Sequence, residues 1–110
     1  LFEKVIKTSR KWRNSDKIMY VVGAKNTEEI GKIRTIAPNS FLLVPGIGAQ
    51  GGNLEEICKY GLDKDLKLIV NSSRSIIYSG ADKNFAKCAR ESAKALQNDM
   101  QKILKSNSII

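Results

Sequence analysis

Histidine is absent from this 110-residue chain, cysteine and proline occur twice each, and there is one tryptophan. Without histidine the commonest general base is missing, and so is every serine–histidine arrangement. Cys58 and Cys88 stand far apart, and a zinc site needs about four nitrogen or sulfur ligands, so no metal site is expected. Two such cysteines read as buried, reduced thiols of a cytoplasmic protein. No apolar run approaches the roughly 20 residues that span a bilayer, so no membrane partner is expected. The chain opens at Leu1-Phe2-Glu3-Lys4-Val5-Ile6, with neither a methionine nor a signal-peptide pattern. That start is already helical in pattern, and it predicts that the natural protein extends upstream.

What is present is ordinary for a globular protein: 42% apolar and 27% charged residues, enough for one small domain. The net charge of +8 raises nucleic-acid binding as a possibility. The positive residues are densest over Lys4–Lys17 and Lys83–Lys105, interleaved with apolar positions and without an unbroken basic tract. Solvated helix surfaces account for that distribution, and an anionic substrate is another adequate reason. No nucleic-acid partner is expected.

Leu1, Val5, Ile6, Ser9 and Trp12 recur at helical spacing and predict a helix through residue 13. Ile18 to Val22 is a short apolar run ending at Gly23-Ala24, the pattern of a strand buried on both faces. A helix follows, with Asn26 as its cap, Glu29 as capping-box partner, and Ile30, Ile33 and Ala37 on one stripe. The cycle repeats with a strand at 41–44, a loop at 45–52, and a helix capped by Asn53 and stopped by Gly61. It repeats again with a strand at 66–70, the turn Asn71 to Ser75, and a long helix. Phe85, Ala89, Ala93, Leu96, Met100, Ile103 and Leu104 mark the apolar face of that helix, and the tail 106–108 reads as frayed.

Short apolar strands alternating with amphipathic helices predict parallel β/α architecture. Three strands make a poor free-standing sheet because both edges stay open. A (β/α)₈ barrel needs about 250 residues, so this chain would supply three of its units. A small open, doubly wound domain fits the pattern alone equally well.

Ligands of parallel β/α proteins gather at the C-terminal strand ends. Here these are Gly23 to Lys25, Pro45 to Gly52, and Asn71 to Ser75. The second holds four glycines and an alanine in eight residues, which lets backbone amides approach an anion closely. Gly46-Ile47-Gly48-Ala49-Gln50-Gly51 satisfies Gly-x-Gly-x-x-Gly, but the first strand–helix unit and the acidic ribose ligand of a dinucleotide site are lacking. Arg74 follows the third strand among small polar residues, where its guanidinium fork can hold a phosphate. Barrels often bind phosphate with the loops after their seventh and eighth strands, which matches Gln50 and Arg74 if these strands are the last three.

Val21-Val22-Gly23-Ala24, Pro45-Gly46-Ile47-Gly48-Ala49-Gln50-Gly51-Gly52 and Asn71-Ser72-Ser73-Arg74 together resemble a bacterial branch of the orotidine 5'-monophosphate decarboxylases. The resemblance runs from about Leu1 to Leu104. It implies the last three β/α units of a (β/α)₈ TIM barrel, in a homodimer that needs no cofactor or metal. It also implies that Gln50 and Arg74 bind the phosphate of orotidine or uridine 5'-monophosphate, with the Ser73 backbone beside them. By the same resemblance Pro45 and Ile47 line the pocket near the pyrimidine carboxylate. The family's catalytic lysine belongs to a Lys–Asp–Lys–Asp array around Asp-x-Lys-x-x-Asp, and no position here matches it. Asp63-Lys64-Asp65 precedes a strand and so lies at the wrong end. The chain therefore carries no expected catalytic residue and is expected to be inactive without the upstream part of the barrel. The competing reading is a non-catalytic phosphate- or nucleotide-binding α/β domain, complete in itself.

Overall fold

The computed structural model describes residues 1–48 and 53–108. Helix α1 (Phe2–Ser9) leads through a single 3-10 turn (Ser15–Lys17) to strand β1 (Tyr20–Val21). Helix α2 (Thr27–Ile36), strand β2 (Leu42–Pro45), helix α3 (Leu54–Gly61) and strand β3 (Leu68–Asn71) follow, then the one-turn helix α4 (Arg74–Ile77) and α5 (Phe85–Ser106). The strands form one parallel sheet in the order β1-β2-β3. Tyr20 lies opposite Leu42 and Leu42 opposite Leu68; at the other end Pro45 lies opposite Asn71. No helix among the described residues is long and apolar enough to cross a membrane.

Successive strand residues point to opposite faces, and only one face of this sheet is covered. Leu42 and Val44 are fully buried together with Ile30 of α2 and Ile57 of α3, and Ile6 of α1 joins the same core. Each such side chain contributes about 1.5–3 kcal/mol on leaving water. The alternate residues are open: Val21 is 72% and Ile69 41% exposed. The expectation of strands buried on both faces is therefore corrected for this chain. Its helices contribute to the core under one face, and nothing among the described residues covers the other.

Other expectations shift at element ends. The first helix stops at Ser9 rather than 13, because Lys11 and Trp12 bond back three residues and Asn14 turns left-handed at φ 62°. The Ser9 hydroxyl meets the Tyr20 hydroxyl at 2.7 Å, fixing the end of α1 against β1. The third strand starts at Leu68 rather than 66: Leu66 has φ 57°, a left-handed conformation outside any strand. Asp63 holds that turn by accepting from the Lys67 backbone N–H at 2.8 Å.

Of the two expected caps, Asn53 forms as read, its side chain accepting from the backbone N–H groups of Glu55 and Glu56. The Asn26 side chain caps nothing; its backbone carbonyl takes the Glu29 N–H instead, so no capping box forms. Gly61 is the last residue of α3, but its role is close approach rather than a left-handed stop. A Cβ there would sit 2.8 Å from Ile30 Cγ2 and 3.3 Å from Leu68 Cδ1. Helix α5 also departs from its reading, since none of its residues is buried. Leu96 packs against the core, whereas Phe85 is 60% exposed and Ala93 lies open.

Candidate functional site

Parallel strands direct all their C-terminal ends to one edge of the sheet, and the three loops of interest leave from that edge. The pairing of Pro45 with Asn71 brings the second and third loops side by side at their first residues. Gly46 and Gly48 both have φ 83°, a backbone region in which a side chain is strained. The loop can therefore fold tightly back toward β3 where β-branched or bulky residues could not.

Between those glycines, Ile47 turns inward and is 5% exposed, within the hydrophobic core. What Ile47 offers outward is its carbonyl, which accepts a hydrogen bond from Ser72 Oγ at 3.3 Å. That same hydroxyl lies against Ser75 Oγ. The loop after β2 and the turn after β3 are thus tied by side chains as well as by strand pairing.

The turn itself is compact. The Asn71 side chain donates to Ser73 Oγ at 3.1 Å, and the Ser73 carbonyl accepts from the Ile76 and Ile77 N–H groups to begin α4. Arg74 is the first residue of that helix and is exposed. Among the described residues its guanidinium takes part in no ion pair, leaving the fork available for an anion. Pro45 is half-buried at the end of β2, and Ser73 is exposed beside Arg74. Gln50, the other expected phosphate ligand, lies outside the described residues.

A groove of about 640 Å³ runs along the open edge of β1, from Phe2 and Val5 past Val21 and Lys25 to Pro45. It is separate from the Ser72–Arg74 turn but reaches the same end of the sheet. Asp63 and Asp65 lie before β3, away from the strand ends that carry Pro45 and Arg74, as their place in the sequence indicates.

Sequence reasoning singled out Ser73 and Arg74 but gave no role to Ser72, Ser75 or Ser92. Ser92 of α5 donates to the Ser75 carbonyl at 2.9 Å. The available signal was a hydroxyl residue at 92, standing between Ala89 and Leu96 in an otherwise apolar helical stripe.

No family model matches the chain. Individual relatives do. The chain is 56% identical over 100 residues to orotidine 5'-phosphate decarboxylase of Christiangramia forsetii, and 57% identical over 106 residues to that of Bacteroides fragilis. These matches take in 91% and 96% of this chain. Over nearly its whole length the chain is similar to orotidine 5'-phosphate decarboxylases. It spans 37% and 39% of the length of those two relatives. Among solved structures, Leishmania donovani OMP decarboxylase superposes with a TM-score of 0.75 at 30% identity, over 94% of this chain and 38% of that one. Leishmania donovani UMP synthase superposes with a TM-score of 0.68 at 31% identity, over 86% of this chain and 21% of that one. Of the two architectures that pattern alone allowed, the small open domain falls away: the parallel units here are three β/α units of the family's (β/α)₈ barrel.

Proposed function

We propose that this chain supplies the phosphate-binding end of an enzyme that decarboxylates orotidine 5'-monophosphate to uridine 5'-monophosphate in pyrimidine biosynthesis. The observation that carries the reading is the sequence match to decarboxylases, more than half of the residues being identical over nearly the whole chain. The geometry supports it. Pro45 and Asn71 stand opposite each other where the two candidate phosphate loops begin, and Arg74 points no ion pair elsewhere among the described residues.

In this reading Gln50 and Arg74 bind the phosphate, with the Ser73 backbone beside them. Pro45 and Ile47 form the wall toward the pyrimidine, Ile47 through its backbone because its side chain is in the core. Binding a remote, non-reacting phosphate serves the chemistry by holding the pyrimidine where reaction occurs, so it raises turnover as well as affinity. The protonating lysine and its aspartates lie in an upstream part of the same barrel domain, and the working enzyme is a cytoplasmic homodimer without cofactor or metal. Residues 1–110 are one portion of that single domain. The relatives' greater length supports an upstream part, and so do the open β1 edge and the uncovered sheet face bearing Val21 and Ile69.

The test is steady-state decarboxylation of orotidine 5'-monophosphate by the full-length protein. Turnover by the full-length protein, and none by residues 1–110 alone, is the expected result. A full-length protein that leaves orotidine 5'-monophosphate unchanged would overturn the reading.

A further inference from the structure

Three serine hydroxyls join the loop after β2, the turn after β3 and helix α5. Ser72 Oγ donates to the Ile47 carbonyl at 3.3 Å, Ser72 Oγ and Ser75 Oγ are 2.5 Å apart, and Ser92 Oγ donates to the Ser75 carbonyl at 2.9 Å. A hydroxyl has a single hydrogen to give. Because the hydrogen of Ser72 goes to Ile47, the Ser72–Ser75 bond must be donated by Ser75. The series therefore has a direction, from Ser75 through Ser72 to the loop.

Gly48 lies near the same point: a Cβ added there would meet Ser75 Oγ at 3.5 Å, an ordinary contact. Both serines are half-buried, where a hydrogen bond lost to truncation is not simply replaced by water. Neither of these side chains belongs to the proposed ligand set. They lie one residue to either side of Ser73 and Arg74, and they reach across to the loop that continues toward Gln50.

We infer that Ser72 and Ser75 are positioning residues, setting the spacing between the two loops that grip the phosphate. The inference rests on the phosphate reading of those loops. A dianion held from two loops is bound well only when both donors sit within about 0.5 Å of the productive geometry. Strand pairing fixes Pro45 against Asn71, and beyond those residues the serine hydroxyls link the loop to the turn. Ser72 holds the loop directly, and Ser75 holds Ser72.

The test compares the affinities of the full-length protein for uridine 5'-monophosphate and for uridine, which lacks the phosphate. Ser72→Ala should weaken uridine 5'-monophosphate about tenfold and leave uridine within about twofold of wild type, in line with one lost hydrogen bond. Ser75→Ala should weaken the same ligand less, since the Ser72–Ile47 bond survives. Ser72→Thr, which keeps the hydroxyl, should return most of the affinity. Equal losses for both ligands would mean general loosening and overturn the inference. An unchanged preference for the phosphorylated ligand in Ser72→Ala would overturn it too, while leaving the phosphate reading intact. A wild-type protein that binds both ligands equally would remove the phosphate reading, and this inference with it.

Discussion

Arg34 donates two hydrogen bonds to one acceptor, the carbonyl of Gly61, from Nε at 2.9 Å and Nη2 at 2.7 Å. The same guanidinium reaches the Ser40 carbonyl at 2.7 Å and the Lys67 carbonyl at 3.0 Å. It thereby joins the end of α3, the approach to β2 and the approach to β3, all at the edge opposite the candidate site. Burial lowers the Arg34 pKa below the ordinary guanidinium range, and Asp63 opposes the shift.

Arg34→Met keeps most of the apolar stem but strands these carbonyls. We expect the full-length protein to lose about 3 kcal/mol of stability, from the desolvation cost of unpaired groups. Arg34→Lys should recover less than half of this, because a single ammonium cannot reproduce the fork. Denaturant midpoints at constant slope measure both; full recovery in Arg34→Lys would mean that charge, not geometry, is what matters.

Gly61→Ala separates two accounts of a helix-terminal glycine. Helix propensity alone would make alanine better by about 1 kcal/mol. The 2.8 Å approach of a Cβ to Ile30 Cγ2 predicts the opposite sign, a loss of about 1–3 kcal/mol through overpacking between α2 and α3. A thermal midpoint above that of wild type would rule out the steric account.

Arg74→Ala should reduce kcat/KM for orotidine 5'-monophosphate at least about a hundredfold in the full-length enzyme, or about 2.7 kcal/mol of transition-state stabilisation. Its exposure and its position at the start of a one-turn helix predict little effect on folding. Near-normal kcat/KM in a folded variant would exclude Arg74 from the phosphate site.

Cys58 offers a test in pH. Its thiol is buried, and desolvation raises its pKa above the ordinary 9.0. The folded state thus favours the neutral thiol more than the unfolded chain does. That contribution is complete below the unfolded pKa and is lost as pH rises through the raised folded value. Cys58→Ala should accordingly lose stability less steeply than wild type above pH 9, whatever its constant penalty for the smaller side chain. Parallel curves would assign the alkaline decline to other groups.

Much of this was legible from periodicity and turn chemistry. Ile30, Ile33 and Ala37 fall on a buried stripe, and Asn53 caps its helix, because both depend on residues close in sequence. The Arg34 fork and the approach of Gly61 to Ile30 link residues about 30 positions apart, and no local pattern encodes such contacts. The candidate site divides the same way. Arg74 and Ser73 were marked by their place after a strand, whereas Ser72 gains its role from the carbonyl of Ile47, on a different loop. The hydrophobicity of Leu66 points to a strand, but the turn held by Asp63 governs its backbone instead.

None of the residues in α5 is buried, yet Ser92 on that helix holds the Ser75 carbonyl. Free energies of local opening follow packing, so a lightly seated helix exchanges its amide hydrogens sooner than the strands beneath it. Each detachment of α5 would also free the Ser75 carbonyl. Packing over the exposed side of α5 would suppress that opening, and in doing so would steady the turn that carries Arg74 from the far side of that helix.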